Sequence, residues 1–448
     1  MSGQTQARHG ATGIFDEHHP PARALIDDCV HCGFCLPACP TYLLWGQEMD
    51  SPRGRIYLMK LGSEGVVAMS AAYVGHFDNC LGCMACVTAC PSGVQYDKLI
   101  EAARAQIERR YRRSLADRLF RRMLFWLFPH PRRLRLLVPL LWFYQATRLQ
   151  WLLRRLKIVR ALPERWRAME ELLPPVRAGA LLRSGVARET AAVGPQRGRV
   201  GLLLGCVQRV FFPGVNAATA RVLAAEGYQV IAPPEQGCCG ALLVHSGHEA
   251  EAMAMARRLI DLFEREAVEI IVTNAAGCGS TLKQFGWLLR DDPQYRDRAQ
   301  AFAAKCRDIS EVLDETAPRA TRHPLPLRVA YHDACHLQHA QGIWDQPRRA
   351  LGLVPQLEIV EIPEAAVCCG SAGIYNLVEP GPARQLGDRK AQNLLATGAH
   401  LLVTSNPGCL LQIRNALARA GSDLPVRHFV EVIDASMRGV TPAVFRKA

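Results

Sequence analysis

Eight of the seventeen cysteines in this 448-residue chain fall into one short pattern used twice. Cys29-VH-Cys32-GF-Cys35-LPA-Cys39-Pro40 and Cys80-LG-Cys83-MA-Cys86-VTA-Cys90-Pro91 both read C-x2-C-x2-C-x3-C-P. Three thiolates at this spacing sit in one tight loop, and their sulfurs can wrap one face of a metal cluster. The cysteine count is odd, and the first twenty residues lack the apolar stretch of a secretory signal. A secreted disulfide scaffold is therefore disfavoured, and metal-bound thiolates in a reducing compartment are expected.

In two-cluster ferredoxins, runs of this form draw their fourth ligand from the opposite motif. That predicts one 4Fe–4S cluster on Cys29, Cys32, Cys35 and Cys90, and a second on Cys80, Cys83, Cys86 and Cys39. The proline after each fourth cysteine is expected to end its turn. The competing reading is a pair of structural zinc sites, since C-x2-C also suits tetrahedral zinc. Four cysteines in one run closed by proline favour clusters.

No cysteine occurs between residues 101 and 197, and the remaining nine follow a repeat. An apolar strand at Arg199-VGLLLG leads to Cys206; another at Tyr228-QVIAP precedes Cys238-Cys239-Gly240; a third at Glu269-IIVTN precedes Cys278. The order recurs with Arg328-VAYHDAC at Cys335, Leu357-EIVEIP before Cys368-Cys369-Gly370, and His400-LLVTSNPGC at Cys409. Spacings agree: x31 and x38 in the first copy, x32 and x39 in the second. Strands alternating with helical stretches imply βαβ units around parallel sheets, with cysteines at strand ends. Each copy offers a four-thiolate site for a cluster or a zinc ion; a purely structural turn or a vicinal disulfide is the alternative. Cys306 lies outside the repeat and reads as a small buried hydrophobe. Among His332, His336 and His339, His332 is the candidate ligand, against the alternative of a backbone-bonded loop histidine.

The chain is thus expected to be α/β overall. An α-helical two-cluster ferredoxin domain (1–100) precedes a helical basic segment (101–197) and two homologous α/β modules (198–323 and 324–448). Lys and Arg exceed Asp and Glu by 54 − 41 = 13. Residues 104–167 alone carry eighteen basic against three acidic residues, a local +15. Aromatic and leucine residues are interleaved with this charge, and Pro129, Pro131 and Pro139 break the apolar runs. The longest such run, Leu136–Tyr144, has nine residues, far short of the roughly 20 that span a bilayer. Anionic lipid, an acidic protein surface and nucleic acid would all accept the charge. The Leu and Trp content points to the lipid surface and away from nucleic acid. Packing against the rest of the chain is the plain alternative. Neither G-x-G-x-x-G after a strand nor G-x4-G-K-[ST] occurs, so a flavin would have to sit on another polypeptide.

With these motifs in view, the chain resembles the iron–sulfur subunit of bacterial glycolate oxidase. Related families are lactate-utilisation iron–sulfur proteins, the anaerobic glycerol-3-phosphate dehydrogenase small subunit and heterodisulfide reductase subunits. The resemblance is carried by Ser51-PRGRIYLMK, Cys90-PSGVQY, Asn216-AATARVL, Leu337-QHAQ and Cys368-CGSAGIY, and it extends from about Cys29 to Ile433. It implies an electron-transfer subunit, cytoplasmic and peripheral on the inner face of the cell membrane. Such a subunit takes electrons from an FAD-containing partner oxidising a 2-hydroxy acid, here glycolate, and passes them towards quinone. The alternatives are a subunit for lactate or glycerol 3-phosphate oxidation and a reductase of heterodisulfide or quinone type built on the CCG modules. In heterodisulfide reductase relatives each cysteine-rich (CCG) module uses five cysteines. Here Ala275 and Asn406 stand three before Cys278 and Cys409, which leaves four.

Overall fold

The computed structural model describes residues 13–176 and 185–446. The chain forms two compact units, one running through Asp117 and including Val244–His248, the other Arg118–Leu243 with Glu249 onward.

Among its described residues, the first unit is helical. Arg23–Asp27, Pro40–Trp45, Pro52–Ser63, Ala71–Asp78, Ala85–Thr88 and Tyr96–Arg110 are its α-helices. Pro40 opens a helix rather than closing a turn, because a proline at the first helical position sacrifices an N–H that has no partner there anyway. Ser51 and Ser70 cap the next two long helices, their hydroxyls accepting from the N–H of Gly54 (3.0 Å) and Tyr73 (3.3 Å). In Tyr96–Arg110, Leu99, Ile100, Ala103 and Ile107 recur with helical period and are fully buried beside Phe77 and Met59.

The second unit holds two sheets. Strands β1 (Glu189–Thr190), β2 (Gly198–Leu202), β3 (Tyr228–Ile231), β4 (Ile270–Thr273) and β5 (Cys306–Asp308) form one, in the order β1-β3-β2-β4-β5. Strands β6 (Leu327–His332), β7 (Leu357–Glu361), β8 (Leu401–Thr404) and β9 (Val426–His428) form the other, ordered β7-β6-β8-β9. All pairings are parallel except β1–β3. Register confirms the duplication: Val200 pairs with Val230 and Ile270, and Val329, at the same distance from its cysteine, pairs with Ile359 and Leu401. The three expected strands of each copy are present. A fourth, β5 or β9, completes each sheet, and β1 adds an edge to the first.

The two copies share one core. Val200, Leu202, Val230 and Val272 from the first sheet and Val329, Tyr331, Leu401 and Val403 from the second belong to a single buried cluster. Helix Pro213–Ala225 packs on Phe429–Met437, and Ile309–Glu315 packs on Asp345–Gly352. These two contacts are equivalent with the modules exchanged, so the duplication closes as a pseudo-dimer.

The basic segment folds as helices, including Leu115–Leu127, Pro131–Ala146 and Leu149–Arg155. Pro139 lies inside the second of these instead of breaking it, and Arg135, whose carbonyl loses its helical donor there, is an exposed residue. One face of these helices is internal. Phe120 and Leu124 pack with Ile374, Leu377 and Val378 of the second module, and Leu134 and Val138 pack on Val210 of the first. Arg165 donates to the Val378 carbonyl (3.0 Å), and Arg384 pairs with Glu171 (2.9 Å). The other face is open, with Trp126, Leu136, Leu140, Phe143, Trp151 and Leu156 all more than half exposed. Arg121 is buried, although the charge pattern alone would put it with the surface arginines. No helix among the described residues is long and apolar enough to cross a membrane.

Candidate metal centres

In the first unit, backbone geometry brings the two cysteine runs together. His31, Gly33, Gly82 and Met84 all adopt positive φ, curling each C-x2-C loop around its sulfurs. Gly33 is required on two grounds: its φ is +88°, and a Cβ there would lie 2.9 Å from an Arg53 guanidinium nitrogen. Cys29, Cys32, Cys35 and Cys90 line one cavity, with Cys86 on the same wall. Cys86 lies within electrostatic reach of Cys39, Cys80 and Cys83, and of Cys35 as well. Cys32 is exposed, whereas Cys39, Cys80, Cys83 and Cys86 are buried.

The stretch Ser51-PRGR, which sequence reasoning noticed without assigning a role, ties both runs down. Arg53 donates to the His31 carbonyl (3.0 Å) while paired with Glu48 (2.7 Å). Arg55 is 1% exposed and donates to the His76 carbonyl, Thr41 Oγ1 and Asp50 Oδ1. Thr41 Oγ1 lies 3.2 Å from Cys39 Sγ. Arg104 donates to the carbonyls of Phe77 and Cys80. Burial alone would raise the Cys80 thiol, but the guanidinium groups of Arg55 and Arg104 outweigh it and hold it below the ordinary value. Burial pushes Cys35 up to about 11, and burial with four thiol neighbours holds Cys86 well above the ordinary thiol value. Sulfurs so crowded resist ionising together unless a cation joins them, which is the donor chemistry that an iron–sulfur cluster satisfies.

In each module the cysteines follow the carboxyl ends of three adjacent strands, where the central strand has its successors on opposite sides. This is the crevice in which open α/β sheets place ligands. Cys206 and Cys335 follow β2 and β6; Cys238-Cys239 and Cys368-Cys369 follow β3 and β7. Cys278 and Cys409 lie in the first turn of Ala276–Lys283 and Pro407–Arg419. Gly370 holds the CCG turn open at φ +87°, its missing Cβ leaving room for the Ala383 carbonyl.

The sulfurs do converge. Cys206 and Cys238 Sγ are 3.5 Å apart, and Cys335 and Cys368 Sγ are 4.0 Å apart. Cys239 is hydrogen-bonded to both Cys238 and Cys278. Hydrogen bonds with Cys368 and Cys409 hold Cys369 well below the ordinary thiol value, while Cys368 and Cys409 themselves lie well above it. Sulfurs this close together form a donor set that also fits a cation. Asn406, at the position of the absent fifth cysteine, donates to Cys409 Sγ at 3.6 Å. Cys306 is buried in β5 with its thiol on the Phe302 carbonyl (3.3 Å), away from both sets. His336 lies 3.0 Å from Ser280 and His339 3.2 Å from the Ala366 carbonyl. His332 instead lies among sulfurs, within 4.8 Å of Cys369 and Cys409.

Comparison with known protein families matches this architecture along the chain. Residues 25–94 match a 4Fe-4S dicluster domain, 200–283 and 329–414 match the cysteine-rich domain twice, and 116–173 match the linker region of the glycolate oxidase iron–sulfur subunit. Fold and matches together define an iron–sulfur electron-transfer protein with a dicluster domain and duplicated cysteine-rich modules. The chain is 41% identical to the probable glycolate oxidase iron–sulfur subunit of Bacillus subtilis, over 89% of this chain and 91% of that one. It is 36% identical to the Escherichia coli glycolate oxidase iron–sulfur subunit, over 95% and 99%. Lactate utilization protein A of Exiguobacterium is 31% identical over 53% of this chain and 98% of its own length. The chain belongs to the glycolate oxidase iron–sulfur subunit family.

Proposed function

We propose that this chain is the electron-transfer subunit of a flavin-dependent 2-hydroxy-acid dehydrogenase, with glycolate as the acid and FAD on a partner subunit. It delivers electrons towards quinone at a membrane surface. The observation that carries this reading is the convergence of two complete C-x2-C-x2-C-x3-C-P runs in one helical unit. Cys29, Cys32, Cys35 and Cys90 would hold one 4Fe–4S cluster, and Cys80, Cys83, Cys86 and Cys39 the other. Bound there, such clusters supply one-electron transfer at low potential. The chain's own residues do the rest. Arg55 and Arg104 offset thiolate charge at the buried run, and exposed Val30 and Phe34 flank Cys32, where a flavoprotein could approach. Cys206, Cys238, Cys239 and Cys278, and likewise Cys335, Cys368, Cys369 and Cys409, would bind metal in the two modules.

The test is Cys39→Ser in anaerobically purified protein. Iron in the N-terminal unit should fall from about eight to about four per chain, with loss of the signal from the buried run. Loss of the other signal, or zinc in place of iron, would reject the assignment. In the assembled complex, Cys238→Ala or Cys369→Ala should stop quinone reduction while glycolate still reduces the flavin. Unchanged quinone turnover in both would reduce the modules to scaffolds.

Lipid binding is supported by the open apolar face beside exposed Arg122, Arg132 and Arg135. Changing these three to Gln should weaken binding to anionic vesicles about 100-fold, at roughly 1 kcal/mol per charge. Raising salt from 0.1 to 1 M shortens the Debye length from ~10 to ~3 Å and should act the same way. The blue shift of Trp126 and Trp151 should persist in the protein that stays bound. A triple variant that keeps its membrane binding but loses its flavoprotein would make this face a docking surface instead.

A further inference from the structure

The two modules are homologous in strand order, register and cysteine placement, yet differ at one position aimed at the sulfurs. Three residues before Cys335 stands His332; three before Cys206 stands Leu203. His332 is 1% exposed, and neither ring nitrogen bonds to an oxygen or nitrogen atom. The hydrogen-bond partner its ring has is the Cys369 sulfur. His428, 0% exposed, shows what a structural histidine looks like in this fold: Nε2 is 2.7 Å from the Asn274 carbonyl, and Nδ1 accepts from Val430 N–H at 3.2 Å. What His332 has instead is the pair Cys369 and Cys409, with its ligand atom and both sulfurs mutually within 4.8 Å and all three residues buried. A second difference points the same way. Twenty-one residues after the second CCG cysteine, the first module has Ile260 and the second has Lys390. Lys390 is 2% exposed and donates to the carbonyls of Glu364 (2.6 Å) and Ala365 (3.3 Å), beside Cys368 and Cys369.

We propose that His332 is a metal ligand, so that the second module holds a mixed imidazole–thiolate centre on His332, Cys369 and Cys409 with Cys335 and Cys368, whereas the first module's centre is all-thiolate. The proposal rests on the reading that the CCG cysteines bind metal. A neutral imidazole and a nearby ammonium both lower the negative charge at the second centre. The cation is a thiophilic one that also accepts nitrogen, either iron in a cluster or zinc. With iron, the second centre is the easier of the two to reduce, as histidine ligation raises cluster potentials, and it stands downstream of the first.

The experiment uses full-length protein labelled with 15N-histidine and purified anaerobically, compared with His332→Leu, which copies the first module, and His332→Cys, which keeps a ligand. Metal analysis of the wild type comes first: metal beyond the N-terminal iron is required. Its absence overturns both the metal reading of the modules and this assignment, whereas its presence isolates the histidine question. For iron, pulsed electron paramagnetic resonance of the reduced protein should show imidazole nitrogen coupling that His332→Cys removes, with a fall in that centre's potential. For zinc, X-ray absorption should show a nitrogen shell that His332→Cys replaces with sulfur. In either case His332→Leu should weaken metal retention in the second module at least ~10-fold. Metal held with no nitrogen signal, or signals unchanged in both variants, would overturn the proposal.

Discussion

Replacing Arg55 with alanine should destabilise the N-terminal unit by about 3–5 kcal/mol, the usual consequence of stripping one partner from a buried ion pair. Arg55 and Asp50 are 1% and 5% exposed at the side chain and 3.3 Å apart. The loss is not confined to charge. Arg55 also holds the His76 carbonyl and Thr41 Oγ1, so the elements carrying Cys39 and Cys80 lose a common anchor. The expected result is iron-poor, protease-sensitive protein. The double variant Arg55→Met with Asp50→Leu removes both charges and should recover only part of the stability: apolar replacement of a buried pair is often neutral, but the His76 carbonyl and Asn79 still lose their partners. It should not recover the electrostatics at Cys80, so its reduction potential should sit below that of the wild type. Chemical denaturation and redox titration separate the two effects. A single variant as stable as the wild type would show that the pair contributes nothing.

Acidification should loosen the end of the second module and not the matching part of the first. His428 and Asp308 occupy equivalent places, each capping the helix that follows the last strand of its sheet. Burial lowers His428 from 6.5 to about 4, outweighing hydrogen bonds to the Asn274 and Ser405 backbone that act the other way. A lowered value contributes stability that is present above 6.5 and lost as pH falls towards 4, a span worth roughly 3 kcal/mol. Burial raises Asp308 from 3.8 to about 6. Its contribution has the opposite sign: it is present below 3.8 and lost as pH rises through 6. Amide protection, taken from exchange corrected for its own pH dependence, should therefore fall between pH 7 and pH 4 in Val426–His428 and Phe429–Met437 and rise in Cys306–Asp308 and Ile309–Glu315. His428→Asn should abolish the acid response of the second module. Equal responses from the two modules would contradict this account.

The residue pattern by itself determined the chemistry and the plan. Cysteine spacing is a statement about ligand reach, and apolar strands buried on both faces, such as Leu401–Thr404, leave an uninterrupted signal. The duplicated order of strands and cysteines therefore announced two parallel-sheet modules. Strands β5 and β9 were silent because Cys306-Arg-Asp and Val426-Arg-His are three residues long with one apolar side chain each; only pairing with β4 and β8 makes them strands. The same holds for side chains whose meaning depends on distant neighbours. Arg121 reads as one of many surface arginines and is buried by packing, while Pro139 reads as a break and is carried through a helix. Ser51-PRGR carries the resemblance without a role, and its two arginines turn out to bind the His31 carbonyl between Cys29 and Cys32 and the His76 carbonyl just before Cys80. Tyr331-HDACHLQHAQ offers His332 as a candidate ligand but does not say which sulfurs it would meet. Its place at the end of a central strand, sealed from water and facing two sulfurs from elsewhere in the chain, is a property of the folded sheet, because burial and convergence are set by contacts that no local pattern records.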